Sequence, residues 1–328
     1  MVTFASRARV IAAIGLVLFA GFAATQARAE GYPERPIRVI VPTAAGSYPD
    51  VVTRVLQPYL ERSLRQPLIV ENRAGASTMI GTDMVAKAAP DGYTLLIVPT
   101  TFTVNAALNA NLPFDLDRDF ALIGLLVTNP LLFTVNAGVP AGTLPEFVAL
   151  AKANPDKLNY GSSGATSEAH LLIEMWSQRA GIRMQHVPYR GGGPAALAAV
   201  AGEVQLLLMS PVGVLRHIQS GALRALATGG TARDPLLPDV PTAAEAGFPG
   251  FEAEQWLGLV TTGGTSKEIV ARINAEVNEV LRDPEVIAKL AIQGTMAAGG
   301  TPEDFGRLVA TEIRNWKQTA EKAGIKAE

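Results

Sequence analysis

Two rhythms of apolar residues alternate along this chain. Short runs that are apolar at nearly every position are followed by stretches whose apolar residues recur at helical spacing. The first pair is Ile37–Val41, read as a strand, and Asp50–Leu64, read as a helix. Leu68–Glu71 then reads as a strand, Ile80–Ala88 as a helix, and Thr94–Val98 as a strand after the turn "PDGY". Ala121–Val127 and Leu131–Val135 form one extended stretch interrupted by "TNP". In "TLPEFVALAKANP", Thr143 caps a helix, Glu146 completes a capping box, Pro145 suits the first turn and Pro155 marks the end.

The alternation goes on with strands at Leu158–Tyr160, Gln185–Val187, Val204–Met209 and Leu223–Thr228. Between them the pattern predicts helices at Ser167–Ala180, Pro194–Ala201 and Val212–Ser220. Such a pattern predicts an α/β fold of parallel sheets covered by helices on both faces. After a proline-rich loop and an extended Phe251–Val260, three helices close the chain: Ser266–Leu281, Pro284–Gln293 and Pro302–Ala323. Helices with so few strands cannot build a sheet domain of their own, so they are expected to return to the first sheet. The chain then crosses near Thr128–Leu132 and back near Trp256–Leu259, and two crossings between two α/β lobes make a hinge with a cleft. The expected boundaries are residues 30–127 plus 258–328 for lobe one and 128–257 for lobe two.

Residues 1–29 are read as a leader. Arg7 and Arg9 give a basic start, Val10–Ala24 is apolar, and Ala27-Arg28-Ala29 has the small-residue spacing of a cleavage site. The alternative, an uncleaved membrane anchor, needs a longer apolar run. Cleavage near Glu30 removes three arginines and no acid, taking the net charge from −2 to −5. A mildly acidic exported chain is a poor partner for nucleic acid or an anionic membrane. There is no cysteine, so a lipid-anchor cysteine, disulfides and thiolate chemistry are all excluded.

Candidate chemistry sits in four glycine-bearing loops between a strand and a helix. They are "PTAAGSYPD" (Pro42–Asp50), "NRAGASTMIG" (Asn72–Gly81), "YGSSGATSEAH" (Tyr160–His170) and "PYRGGGPAAL" (Pro188–Leu197), two per lobe. Each stands where open α/β sheets bind ligands, and each precedes a helix whose first N–H groups favour negative charge. Ser162, Ser163, Thr166 and Ser167 add hydroxyl donors. Taken singly, such residues usually act as caps, and Asp50 is read as an N-cap. Two pairs on opposite lobes point further, to an organic anion bridging them. Tyr48, Tyr189 and Trp256 are placed to wall an apolar ligand body, or else belong to the core.

Other chemistries fit less well. "GGGPAA" at Gly191–Ala196 matches a dinucleotide pattern only formally, since Pro194 fills the turn and no acid ends the strand "QLLLMS". No phosphate-binding P-loop and no G-x-S-x-G elbow occur. His170, His186 and His217 lack metal-site spacing; no metal or cofactor is expected.

Over the whole mature length, the segments "YPERPIRVIVP", "VENRAGA", "IGTDMVAKAAPDGYTLL", "KLNYGSSG", "HVPYRGGGPAAL", "LPDVPTAAEAGFPGFEAEQWLGL" and the terminal "IKAE" resemble the Bug proteins. These are extracytoplasmic solute receptors of tripartite tricarboxylate transporters. The resemblance implies a type II periplasmic-binding-protein fold with two α/β lobes, a periplasmic location, no catalysis and an organic anion as ligand. It also implies the transporter's membrane subunits as partners; a monomer is expected. Candidate contacts in lobe one are Thr43, Ala44, Gly46, Ser47 and Tyr48, with Ser77, Thr78 and Thr101. In lobe two they are Ser162, Ser163, Gly164, Ala165, Ser167, His170, Tyr189, Gly191 and Met209, with Trp256 at the return crossing. The chain departs from the family pattern at Thr43, Ser47, Tyr48-Pro49, Ser77-Thr78, Gln205 and Met209. These departures bear on which anion is held. A hydrolase using Ser163 or Ser167 with His170, and a sensor receptor, are the competing readings.

Overall fold

The computed structural model describes residues 31–165 and 167–325. The leader, Thr166 and the last three residues of "IKAE" lie outside the described residues. Gly31–Glu34 form a separate unit without helix or strand, and the folded unit begins at Arg35.

The folded unit is built on two sheets. In chain order its strands are β1 (Ile37–Val41), β2 (Leu68–Asn72), β3 (Thr94–Pro99), β4 (Phe120–Pro130), β5 (Leu132–Asn136), β6 (Asn159–Ser162), β7 (Gln185–Pro188), β8 (Leu206–Met209), β9 (Leu223–Thr228), β10 (Glu254–Thr262) and β11 (Met296–Ala297). Sheet one has the order β11-β4-β10-β3-β1-β2, and sheet two the order β7-β6-β8-β5-β9. The helices are α1 (Tyr48–Leu64), α2 (Met79–Ala86), α3 (Thr101–Leu108), α4 (Leu116–Asp119), α5 (Leu144–Ala153) and α6 (Glu168–Ala180). They continue with α7 (Gly192–Ala201), α8 (Pro211–Gln219), α9 (Lys267–Val280), α10 (Pro284–Ala291) and α11 (Pro302–Ala323).

The expectation of purely parallel sheets is corrected. β1 pairs parallel with β2 and β3, and β6 with β7 and β8. However, β10 runs antiparallel between β3 and β4, and β5 antiparallel between β8 and β9. These antiparallel strands are those next to the crossings. The chain leaves sheet one along β4 and re-enters along β10, and hydrogen bonding the two segments together requires opposite directions. An apolar run reports burial, not strand direction. β4 stays in sheet one as far as Pro130, and β10 enters it at Glu254.

Local signals account for most element ends. Thr301 and Asp304 form a reciprocal capping box at α11, Pro302 fills its first position, and Gly324 ends it in the left-handed region at φ 67°. Gly258 on β10 has its own reason. A Cβ there would overlap the Phe305 ring of α11, so the glycine lets the helix lie flat on the crossing strand. Helix α3, "TFTVNAAL", has no clear sequence signal. Its β-branched first turn has a weak helical signal, and its burial against α11 supplies what propensity lacks.

The C-terminal helices do not all return to the first sheet. α9 and α10 pack on α1, but α11 serves both sheets. Phe305 and Val309 join the core with Leu96, Val98 and Val260 of sheet one. Trp316 and Ala320, farther along, join the core with Phe133, Tyr160, Leu171 and Trp176 around sheet two.

Candidate functional site

The carboxyl ends of β1, β2 and β3 lie on one edge of sheet one, because the three strands are parallel in register. Helices α1, α2 and α3 begin just after them. The same holds for β6, β7 and β8 in sheet two, followed by α6, α7 and α8. Both edges meet at the crossing strands. Trp256 N donates to Thr100 Oγ1 at 3.0 Å, at the start of α3. Its neighbour Gln255 donates through Nε2 to Glu168 at the start of α6. The Asn129 amide and Ser210 Oγ, at the start of α8, are 3.2 Å apart.

Capping separates five of these six helices from the rest. At α4, α5, α9, α10 and α11, the N-cap side chains of Asp115, Thr143, Ser266, Asp283 and Thr301 accept from the first-turn backbone. At the two facing edges, the N-caps Ser47, Thr78, Thr100, Gly191 and Ser210 make no such bond. Only Ser167 caps there, receiving His170 N at 3.4 Å. Among the described residues, every helix without a side-chain cap starts at the edges that converge on the crossing. The positive ends of these helix dipoles face an anion, together with those first-turn N–H groups that the backbone leaves free; at α2, Met79 N and Ile80 N are already bonded to Ala76 O and Gly75 O.

The first loop is pinned from behind. Asp50 is not an N-cap; it lies in the first turn of α1, buried. It accepts from Gly46 N at 2.8 Å, Arg54 Nε at 3.0 Å and Asn72 Nδ2 at 3.0 Å. Burial pushes its carboxyl up, but these donors outweigh burial and hold it below the ordinary range. Gly46 N is thus taken, whereas Ala44 N has no bond among the described residues. Ala44, Ala45 and Gly46 are exposed, and Thr43 Oγ1 pairs with Ser47 Oγ at 2.7 Å.

In the second loop Ala76, Ser77 and Thr78 all have positive φ, at 46°, 49° and 77°. Asn105 Nδ2 braces them, donating to Ser77 O at 2.7 Å. Thr101 Oγ1 is buried and has no hydrogen-bond partner. Tyr48, half-buried, receives a hydrogen bond from Thr295 Oγ1 at 3.2 Å, and burial pushes its phenol up to about 12.

In sheet two, Ser163 is exposed and Gly164, at φ 156°, collects donors on its carbonyl. Ser162 Oγ lies 2.8 Å and Ser167 Oγ 2.9 Å from that carbonyl. Met209 is half-buried, its thioether filling the space beside Gly192 and Gly213. Gly191, at φ 111°, opens α7.

Three of the candidates have partners of their own in the structure. Trp256 is 2% exposed, sits edge-on to Phe305 at 5.4 Å, and donates Nε1 to Glu312 at 2.9 Å. It is core. His170 is buried behind the loop, its Nδ1 on Ala165 O. Tyr189 packs on the core of sheet two with its hydroxyl toward Glu203, 3.3 Å away. Sequence reading missed Asn72, Asn129, Ser210 and His186, which support the loops from other elements. No spacing in the chain announces such long-range partners.

A serine–histidine hydrolase finds no dyad in the proposed residues. Ser167 Oγ is committed to the Gly164 carbonyl and His170 to the Ala165 carbonyl. No group of His, Cys, Asp or Glu among the described residues is arranged to hold a metal.

A family described as "Tripartite tricarboxylate transporter family receptor" matches residues 52–325. The chain belongs to this receptor family. Protein BugT of Bordetella pertussis is 36% identical over 320 residues, 97% of this chain and 98% of that protein. R. palustris Rpa4515, solved with adipate, superposes with a TM-score of 0.76 at 30% identity, covering 90% of this chain and 99% of its own. MatC from Rhodopseudomonas palustris, solved with bound malate, gives 0.71 at 32% identity, covering 88% and 99%. The receptor therefore has the fold of the periplasmic solute-binding proteins, and it is not an enzyme. No helix among its described residues is long and apolar enough to cross a membrane.

Proposed function

We propose that this receptor is exported to the periplasm and there captures an organic acid for the membrane subunits of a tripartite transporter. The acid lacks an amine and has an apolar or aromatic body, a dicarboxylate being the favoured form. One observation carries the reading: five helix N-termini without side-chain caps converge on the crossing from both sheets. A carboxylate complements the positive ends of their dipoles and the first-turn N–H groups that remain unbonded. The adipate and malate of the two relatives agree with this class.

The walls argue against amino acids. Met209 stands at the end of β8, where an acid would receive an α-ammonium group, and offers a soft apolar surface instead. Burying one ring or short chain there is worth roughly 2–3 kcal/mol, enough to rank two acids of equal charge. Among the sequence candidates, those consistent with the site are Thr43, Ala44, Ser47, Tyr48, Ser77, Thr78, Thr101, Ser163, Gly164, Gly191 and Met209.

The test is a thermal-shift panel of aromatic acids, aliphatic diacids, citrate, aspartate and glutamate. A ligand at 100–1,000 times its Kd adds roughly 3–4 kcal/mol of apparent stability. A non-amino acid should give the largest shift, and Met209→Asp should move the preference toward glutamate. Glutamate or aspartate as the tightest ligand of the unaltered protein overturns the proposal. Export is checked by the mature N-terminus, expected near Glu30, and by recovery as a monomer in the soluble periplasmic fraction.

A further inference from the structure

Behind the Ser162–Ala165 loop lie two histidines that the binding site itself does not use. His170 (α6) and His186 (β7) stack with ring centroids 3.7 Å apart and planes at 16°. Tyr160 of β6 lies beside both rings, 5.0 Å from His186 and 6.0 Å from His170, and donates its hydroxyl to Glu174 of α6. Glu174 is also the acid whose charge reaches His170. Each histidine touches the loop. His186 Nε2 is 2.6 Å from Ser162 Oγ, and His170 Nδ1 meets Ala165 O.

The place of the Ser162 proton decides which partner donates. Ser162 Oγ has three neighbours: Gly164 O at 2.8 Å, Gly164 N at 3.2 Å and His186 Nε2. A hydroxyl owns one proton and a carbonyl oxygen can only accept; Gly164 O also receives Ser167 Oγ at 2.9 Å and Ser167 N at 3.2 Å, so the Ser162 proton has two acceptors in reach, Gly164 O and His186 Nε2, and we take the first. The serine oxygen then accepts from Gly164 N–H, and His186 carries its proton on Nε2. By the same rule His170 carries its proton on Nδ1, facing the Ala165 carbonyl. The two stacked rings thus hold the loop with opposite nitrogens, and both are neutral: burial lowers both imidazoles, His186 to about 4.

We propose that His186 is the positioning residue of the anion-receiving loop, its Nε2–H fixing Ser162 and through it the Gly164 turn. This rests on the reading of that loop as a carboxylate site. His186 does not touch the solute. It sets the serine hydroxyl so that the turn at Gly164 stays closed and the exposed Ser163 and its neighbouring N–H groups face outward in one arrangement.

Two measurements test it. The first uses ligand-free, isotope-labelled protein. Imidazole chemical shifts should show His186 as the Nε2–H tautomer and His170 as the Nδ1–H tautomer, with neither titrating through the neutral range. A His186 proton on Nδ1 overturns the proposal. The second compares His186→Phe, which keeps a stacked ring but has no donor, with His186→Gln, which keeps an amide donor. His186→Phe should fold, exchange the Gly164 amide faster, and bind the preferred acid about five- to tenfold more weakly, the effect of one lost hydrogen bond. His186→Gln should recover binding to within about twofold. If His186→Phe matches the unaltered protein in Gly164 exchange and in affinity, His186 is only packing and the proposal fails. If no carboxylate binds the unaltered protein, the functional reading fails instead, and tautomer and Gly164 exchange still decide the role of His186.

Discussion

Asp50 shows how a single side chain prepares a loop made of small residues. A run like Ala44-Ala45-Gly46 has little of its own to hold it in one shape, and chain entropy works against order there. The carboxylate, 3% exposed, binds the loop at Gly46 N and ties it to Asn72 at the end of β2. Asp50→Ala removes three donors' shared acceptor and leaves Gly46 N unpaired. It should lower unfolding stability by about 2 kcal/mol and weaken ligand binding, as read by urea titration and by the thermal-shift panel. Thr78 shows the opposite case, a residue held against its preference. A β-branched side chain at φ 77° is strained, and its long 3.4 Å contact with Asn105 is poor compensation. Thr78→Gly should therefore raise stability by about 1 kcal/mol; a lower urea midpoint would contradict this account.

Among the elements, the division between capped and uncapped helices carries the functional meaning. Ser and Thr stand before helices in both groups, so a sequence reader sees the same signal in each. What differs is the side-chain rotamer and the backbone entry, which only the packed loop decides. The crossing strand β10 adds a pH signature. Glu254, its first residue, is pushed up to about 7 by burial and secondarily by the charge of Glu252. A folded-state value above the unfolded one means the folded protein holds the proton more tightly. This stabilising contribution is full below about pH 4.5 and is lost as pH rises through about 7. Glu254→Gln should melt higher than the unaltered protein at about pH 8, with the difference shrinking toward about pH 5. His186 acts with the opposite sign. Its folded-state value of about 4 lies below the ordinary one, so its contribution is full above about pH 6.5 and is lost as pH falls through 4.

For the whole molecule, the crossing strands tie both sheets to one short region. Gln255 holds the start of α6 while its neighbour Trp256 holds the start of α3, and α11 contributes to the cores of both sheets. We expect ligand to close the two lobes about Thr128–Leu132 and Trp256–Leu259, with α11 as a third connection. Solution scattering should give a smaller radius of gyration with saturating acid. A radius that does not change would remove closure from the mechanism. Because Trp316 sits among the sheet-two core residues, Trp316→Ala should reduce the cooperativity of unfolding as well as stability, read as a broadened thermal transition.

The sequence by itself determined the α/β class, the place of nearly every strand and helix, the loops at the strand ends and the membership of the receptor family. Periodicity, caps and turn residues are local quantities, and long ordered segments such as "HVPYRGGGPAAL" are specific. Only the tertiary structure decided the antiparallel course of β5 and β10, the helix α3, the double allegiance of α11, and the partners that the candidate side chains take. Tyr189 reads as a site residue because it sits beside a glycine loop, Trp256 because it sits at the return crossing, and His170 through the family resemblance. Nearness along the chain does not say which way a side chain turns: Trp256 and His170 turn inward to Glu312 and the stacked His186, while the Tyr189 hydroxyl points to the exposed Glu203. Those partners come from other elements, so only packing could bring them together.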